Sequence, residues 1–89
     1  MRQVIQRLPD AELEVMQALW SCTAPASRAD IENILRESRP MAVTTVLTLL
    51  TRLTERGFID ASKCGRSNYY TPVVSKREYL ASQSRRFFD

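Results

Sequence analysis

The spacing of apolar residues predicts two amphipathic helices in the first part of the chain. Leu13, Met16 and Trp20 recur at intervals of three and four residues, which is typical of a helix that packs along one face. Pro9 lies just ahead of this segment, where a proline favours the start of a helix. Ser27 is followed three residues later by an aspartate, and this capping-box pattern favours the start of a second helix. We therefore expect two helices that each bury one side against a shared core.

A third helix is predicted over about residues 43–56, and its two sides differ in polarity. Gly57 follows it, in the position that a left-handed C-terminal cap requires. On a helical wheel the apolar side consists of Val43, Val46, Leu47, Leu49, Leu50 and Leu53. The polar side consists of Thr44, Thr45, Thr48, Thr51, Arg52, Glu55 and Arg56. We expect the apolar side to belong to the core and the polar side to face outward.

Beyond the third helix the pattern becomes extended. Residues 59–74 contain Gly65 near their middle and aromatic and β-branched residues after it, which predicts two short antiparallel strands joined by a turn at 64–67. The adjacent tyrosines of the second strand should point to opposite faces, one inward and one outward. Ser75 and Glu78 repeat the capping-box pattern and predict a fourth helix. Three helices, a hairpin and a fourth helix are the order of a winged helix-turn-helix, an α+β fold that is mainly α.

The length of the chain limits it to one small domain. Eighty-nine residues can bury one modest core but not two. We expect an N-terminal arm at 1–9, a winged-helix domain at 10–75 and, at 76–89, the start of a C-terminal helix that continues beyond the chain. No apolar segment approaches the roughly 18 residues of a membrane span, and the N-terminus lacks the apolar region of a signal peptide. A cytoplasmic protein without membrane insertion is therefore expected.

The residue types that support catalysis and metal binding are scarce. Histidine is absent, which removes the commonest general base and the commonest metal ligand. Cys22 and Cys64 lie far apart and outside any CxxC motif, so we expect neither a metal site nor a redox pair. The simplest interpretation of Cys22 is a small buried thiol. The sequence thus predicts a protein that is not an enzyme and that binds no cofactor.

Positive charge is concentrated in the second half of the chain. The net charge is +3 overall, but residues 8–39 carry a net charge of −3 and residues 40–89 a net charge of +4. A polyanion would therefore bind to elements of the second half. Most of the basic residues are arginine, which favours bidentate contacts with phosphate or guanine, although a GC-rich genome produces the same bias.

The polar side of the third helix is unusual in composition. Threonine forms helices poorly, and a solvated surface more often carries Glu, Lys, Gln or Ala. Short side chains with a hydroxyl and a methyl group suit a helix pressed into the major groove, where they can contact base edges and thymine methyl groups. The alternative is an ordinary exposed surface. We predict DNA contacts from Thr44, Thr45, Thr48, Thr51 and Arg52.

Two further pairs of residues complete the predicted DNA-binding surface. Lys63 and Arg66 flank Gly65 at the tip of the hairpin, where a wing reaches phosphates or an adjacent minor groove. For the hairpin taken alone, a charged loop that only maintains solubility is an equally good interpretation. Ser27 and Arg28, at the start of the second helix, are predicted to contact DNA as well.

Several segments match one known family in order and spacing. They are LPDAELEVM at 8–16, Trp20, TTVLTLLTRL at 44–53, Gly57, KCGR at 63–66 and YTP at 70–72. Through them the sequence resembles the penicillinase-repressor family of winged-helix regulators, which includes β-lactamase and methicillin-resistance repressors and copper-responsive relatives. The resemblance implies that the third helix is the recognition helix, with DNA contacts from Thr44, Thr45, Thr48 and Arg52, and with Arg66 as a wing contact. It also implies a homodimer that represses transcription from inverted-repeat operators in double-stranded DNA.

The resemblance also bears on assembly and control. In the antibiotic-responsive branch a membrane sensor protease relieves repression by cleaving the C-terminal region. Pro9 stands where relatives often have a capping serine, a change that suits a helix start. The family's C-terminal helices supply most of the dimer interface, and Phe87 and Phe88 are expected to pack against them in an intact protein. The 89-residue chain is therefore expected to be a monomer or a weak dimer. The alternative function is a winged helix that binds proteins rather than DNA.

Overall fold

The computed structural model describes the backbone of residues 5–88 and the side chains of residues 5–84. Within this part, helices and short strands follow one another in the order that the sequence predicts, with one added strand. The elements are α1 (Asp10–Ser21), β1 (Ala26–Ser27), α2 (Arg28–Ser38), α3 (Val43–Glu55), β2 (Ile59–Cys64), β3 (Ser67–Pro72) and α4 (Lys76–Phe88). The predicted winged helix-turn-helix is confirmed. The first four residues of the predicted arm and the side chains of Phe87 and Phe88 lie outside the described residues.

Both predicted capping boxes form. At the start of α2, the Ser27 hydroxyl accepts a hydrogen bond from the Asp30 N–H, and the Asp30 carboxylate accepts one from the Ser27 N–H, each at 3.1 Å. At the start of α4, Ser75 and Glu78 make the same pair of bonds at 3.0 Å and 2.9 Å. The bond from the Ser75 N–H lowers the pKa of Glu78 from its ordinary value of 4.5. Helix α1 begins differently, because Pro9 occupies its N-cap position without a side-chain hydrogen bond.

Helix α3 ends at a glycine, as predicted. Gly57 has a φ of +81°, a backbone conformation that residues with a Cβ rarely adopt. Its N–H donates to the Thr54 carbonyl at 3.1 Å, and the Phe58 N–H donates to the Leu53 carbonyl at 2.9 Å. These two bonds define a Schellman motif, which satisfies carbonyls at the end of a helix. The motif turns the chain from α3 directly into β2 and buries Phe58 in the core.

The hairpin forms at the predicted place. Strands β2 and β3 are antiparallel with Cys64 opposite Ser67, so that Gly65 and Arg66 form a two-residue turn. Gly65 has a φ of +65°, whereas Arg66 has a negative φ, and this combination suits a type II′ turn. The turn places the Arg66 side chain at the tip of the hairpin.

A third strand, β1, extends the hairpin and is not predicted by the sequence. Its two residues are too few to show an alternating pattern. Ala26 pairs with Tyr70 and Ser27 with Tyr69, which gives the sheet the order β1–β3–β2 and brings the start of α2 beside the hairpin. Tyr70 is buried and Tyr69 is half-buried, so the prediction that the two tyrosines point to opposite faces is confirmed.

Helices α1, α2 and α3 surround the core, which the hairpin and α4 complete. The residues that α3 contributes to it are Val46, Leu49, Leu50 and Leu53. The prediction that Val43 and Leu47 also belong to the core is wrong, because these residues are 47% and 41% exposed. They lie four residues apart on one edge of the apolar side of α3. At such an edge an apolar side chain can remain exposed, so polarity alone does not predict burial. Of the residues assigned to the packed face of α1, Met16 is buried, whereas Leu13 and Trp20 are only partly buried.

Two long-range polar contacts tie the ends of elements together. The buried Glu12 of α1 accepts a hydrogen bond from the Nε of Arg56, at the end of α3, at 2.7 Å. The Tyr79 hydroxyl of α4 accepts a hydrogen bond from the Leu8 N–H at 3.0 Å. Neither contact is predicted by the sequence, since the partners are 44 and 71 residues apart. They hold the end of α3 and the N-terminal segment against the core.

Candidate nucleic-acid interface

The outward side of α3 is formed by the predicted residues. Thr44, Thr45, Thr48, Thr51 and Arg52 are all exposed. Thr44, Thr48 and Arg52 follow one another at intervals of four residues and therefore share one strip of the helix surface. With Thr45 and Leu49 they line a shallow hollow of about 210 Å³. The structure thus brings four of the five predicted α3 residues together at one hollow, with Thr51 beside them on the same side of the helix.

Two of these threonines direct their hydroxyl protons into the helix. Thr48 Oγ1 donates to the Thr44 carbonyl and Thr51 Oγ1 donates to the Leu47 carbonyl, both at 2.9 Å. A hydroxyl has one proton and two lone pairs, so each oxygen remains free to accept a hydrogen bond from outside. The exposed strip therefore offers hydrogen-bond acceptors and methyl groups, together with the guanidinium of Arg52.

A larger groove lies beside this strip, with a volume of about 420 Å³. One wall is the start of α2 with Ser27 and Arg28, and another is the hairpin from Arg66 to Tyr70. Leu47 lines the groove from α3. Three elements that are distant in sequence meet here because β1 pairs with β3. The groove and the threonine strip are adjacent, since both border on α3.

The charged side chains of the interface differ in how they are engaged. Arg28 forms an ion pair with Glu32, one turn further along α2. Among the described side chains, Arg52, Lys63 and Arg66 form no ion pair. Free guanidinium and ammonium groups can contact phosphate without first losing a protein partner. All three are therefore free to bind an external anion, and Arg52 and Arg66 also line the hollow and the groove, respectively.

The remaining predicted residues are less central. The Ser27 hydroxyl already accepts the capping bond of α2, so its first role is structural, although the residue also lines the groove. Lys63 is exposed on β2 opposite Asn68, one residue before the tip, and it lines neither the groove nor the hollow. For Ser27 and Lys63, as for the other residues of this surface, contact with DNA stays a prediction.

The residues that line the groove but were not predicted as DNA contacts are Ala29, Leu47, Ser67, Asn68, Tyr69 and Tyr70. Asn68 and Tyr69 line the groove beside Arg66. The alternation of the hairpin indicated that one tyrosine faces outward, and it is Tyr69 that does so. Leu47 was not predicted to line the groove, because its apolar side chain indicated that it belongs to the core. No signal in the sequence separates Leu47 from the buried leucines of α3.

The cysteines and acidic residues of the described part form no second site. Within residues 5–84 no group of three or more cysteine, aspartate or glutamate side chains is arranged to hold a metal ion. Cys22 is half-buried, and burial raises the pKa of its thiol, with a further contribution from the charge of Asp30. Cys64 is exposed on β2. None of the described helices is long and apolar enough to cross a bilayer.

Three helices followed by a basic hairpin that packs beside the third helix define the winged-helix class. This chain belongs to the penicillinase repressor family, whose model matches residues 8–89. The transcriptional regulator BlaI of Mycobacterium tuberculosis is 35% identical over 77 residues, which are 86% of this chain and 56% of the relative. The penicillinase repressor of Bacillus licheniformis is 31% identical over 85 residues, 96% of this chain and 66% of the relative. These relatives are transcriptional regulators, not enzymes.

Two solved structures share the fold. The solution structure of the DNA-binding domain of the repressor BlaI has a TM-score of 0.71 and 30% identity, and the match covers 89% of this chain and 94% of that domain. The Bacillus licheniformis BlaI in its monomeric form, in complex with the blaP half-operator, has a TM-score of 0.68 at 30% identity, with the same coverage. The chain spans 56% to 66% of the length of the two regulators named above, so their full-length properties lie partly outside it.

Proposed function

We propose that this chain is the DNA-binding part of a sequence-specific transcriptional repressor, with α3 in the major groove and the hairpin on the DNA backbone. One observation carries the proposal: the exposed threonine strip of α3 lies next to the groove that holds Arg28 and Arg66. The major groove is about 12 Å wide and accepts an α-helix, while cations beside the helix can neutralise phosphates. Membership of a repressor family supports the same function.

The proposal divides the interface between two kinds of contact. Thr44 and Thr48 read base edges, whereas Arg52 and Arg66 contact phosphates. Because the Thr48 hydroxyl proton is bonded to the Thr44 carbonyl, the oxygen accepts rather than donates. In the major groove the donors are the N6 amino group of adenine and the N4 amino group of cytosine. We therefore expect Thr48 to favour one of these two bases.

Selection of a preferred duplex from a randomised pool tests the base contacts. The duplex that the chain enriches is compared by fluorescence anisotropy with a shuffled duplex of the same composition. Thr48→Ala should weaken binding to the preferred duplex by about 1–3 kcal/mol and binding to the shuffled duplex much less. Equal losses on both duplexes would assign Thr48 to the DNA backbone.

Salt titrations test the phosphate contacts. Arg52→Gln and Arg66→Gln should weaken binding to both duplexes and should each reduce the salt slope by about one. Arg77→Gln is the matched control, because Arg77 is exposed on α4 and lines neither the groove nor the hollow. A slope that is the same in all variants would contradict the proposed hairpin and α3 contacts. A pool without enrichment would overturn sequence-specific binding, and binding without any salt dependence would overturn the phosphate contacts.

The assembly of the whole protein forms a second part of the proposal. We propose that the intact protein binds inverted repeats as a homodimer, with two recognition helices one DNA turn apart, roughly 34 Å. The segment from 76 onward begins the dimer interface. A sensor protease that cleaves the whole protein after the start of this interface would relieve repression in the cytoplasm.

Sedimentation tests the assembly. The 89-residue chain should be a monomer or a weak dimer at micromolar concentration, because one helix falls short of the roughly 1,000 Å² that a stable interface buries. A tight dimer would mean that residues 1–89 already contain the interface.

A further inference from the structure

Leu47 is exposed on the side of α3 that borders the groove. The residue is 41% exposed, whereas the neighbouring Val46 and Leu50 are buried. At 100° per residue it lies about 60° around the helix from Thr44, next to the threonine strip. Exposing a leucine forgoes the stabilisation that its burial would give. This arrangement places an apolar side chain within the proposed DNA surface.

The chemistry of the groove indicates what would cover Leu47. Arg28 and Arg66 line the same groove. Arg28 is already paired with Glu32, but an apolar protein surface seated there would take the Arg66 guanidinium out of water without giving it an anion, which is costly. DNA supplies phosphates to the arginines and base edges to the helix. Among the four bases only thymine presents an apolar group in the major groove, its C5 methyl.

We propose that Leu47 contacts the C5 methyl group of a thymine and thereby sets part of the sequence preference of the chain. The inference rests on the proposed function and adds an apolar contact beside those that the methyl groups of the threonine strip can make. The contact is apolar, so it distinguishes thymine from the other bases by the C5 methyl group. It predicts a preference for thymine next to the bases that Thr44 and Thr48 contact.

Single replacement of each thymine by deoxyuridine in the selected duplex tests this contact. The replacement removes one methyl group and leaves every hydrogen-bonding group of the base in place. At one position the replacement should weaken binding of the natural chain about fourfold, the factor that burial of one carbon group produces. Leu47→Ala should weaken binding to the thymine duplex and should bind the thymine and deoxyuridine duplexes equally.

A matched variant controls for the loss of an exposed leucine. Leu80 is 53% exposed on α4 and lines neither the groove nor the hollow, so Leu80→Ala should keep the fourfold preference for thymine. If the natural chain bound its selected duplex but responded to no deoxyuridine, or if Leu47→Ala kept the response, the role of Leu47 would be overturned and DNA binding would stand. If the selection enriched no duplex, both the proposed function and this inference would fall.

Discussion

Replacing Glu12 and Arg56 by methionine, singly and together, tests how the end of α3 is held. The side chain of Glu12 is 3% exposed, whereas that of Arg56 is 30% exposed. The guanidinium contacts both carboxylate oxygens, with Nε at 2.7 Å from Oε1 and Nη2 at 3.4 Å from Oε2. Its Nη1 also donates to the side chain of Gln6 at 2.8 Å. Helix α1, the end of α3 and the N-terminal segment therefore meet at one ion pair.

The unequal burial of the two groups predicts unequal costs. Arg56→Met leaves a buried carboxylate without its partner and should lower the free energy of unfolding by about 3–5 kcal/mol. Glu12→Met leaves a guanidinium that can turn into water, so the cost should be about 1–3 kcal/mol. The double variant puts two apolar side chains in place of the pair. It should regain most of the loss, since packed apolar side chains often match a buried ion pair in stability.

Urea unfolding followed by the fluorescence of Trp20 measures these costs. The indole Nε1 donates to the Val74 carbonyl at 2.9 Å, and the ring lies 5.9 Å from that of Tyr79, so its emission reports on tertiary packing. For a slope of about 1–3 kcal/mol per molar urea, Arg56→Met should lower the midpoint by at least about 1 M. Equal losses in the two single variants would refute the reasoning. So would a double variant as unstable as Arg56→Met alone.

We expect the same ion pair to keep Arg56 from contacting DNA. Its guanidinium is already held by Glu12, although the residue follows Arg52 by one helical turn on the predicted polar side. The folded double variant should therefore bind DNA with the salt slope of the natural chain, in contrast to Arg52→Gln. A slope reduced by one would mean that Arg56 leaves the pair to contact phosphate.

Three further substitutions test the C-terminal cap of α3, the hydrogen bond between Tyr79 and Leu8, and the N-terminal cap of α4. Gly57→Ala should lower stability by about 1–2 kcal/mol, because a φ of +81° strains any residue with a Cβ while no atom lies within 4 Å of the added group; an unchanged urea midpoint would contradict this. Tyr79→Phe removes the acceptor of the Leu8 N–H and should cost about 1–3 kcal/mol, with faster hydrogen exchange at that amide as the specific sign. The hydrogen bond from Ser75 lowers the pKa of Glu78, so the ionised Glu78 side chain stabilises the fold fully at pH values above its ordinary pKa of 4.5. This stabilisation is lost as the pH falls through the lowered pKa. The difference in urea midpoint between the natural chain and Glu78→Gln should shrink over that range, and a constant difference would argue against the cap.

The helix boundaries could be predicted because they depend on residues that are close in sequence. A capping box needs only a serine and an acidic residue three positions later, and both boxes form where Ser27 and Ser75 indicated. Gly57 ends α3 for an equally local reason, since the cap needs one residue with a positive φ. The threonine strip of α3 follows from the same helical periodicity. These features need no knowledge of the tertiary structure.

Burial at the edge of a helix could not be predicted in this way. Leu47 and Leu50 are the same residue type three positions apart, yet Leu47 is 41% exposed and Leu50 is 1% exposed. What differs is the set of elements packed against each position, and a helical wheel carries no information about that. The buried carboxylate of Glu12 shows the same limit, because a helix with acidic residues in its first turn does not reveal which one meets a distant arginine.

The groove depends on the shortest element of the fold. The charge pattern of the sequence assigned polyanion binding to the second half of the chain, because residues 8–39 carry a net charge of −3. Strand β1 has only two residues, but its pairing with β3 sets Ser27 opposite Tyr69 and so brings the first turn of α2 beside the hairpin. Arg28 of the acidic half thereby joins Arg66 in one groove. The groove is thus a product of strand pairing, which a count of charges along the sequence cannot contain.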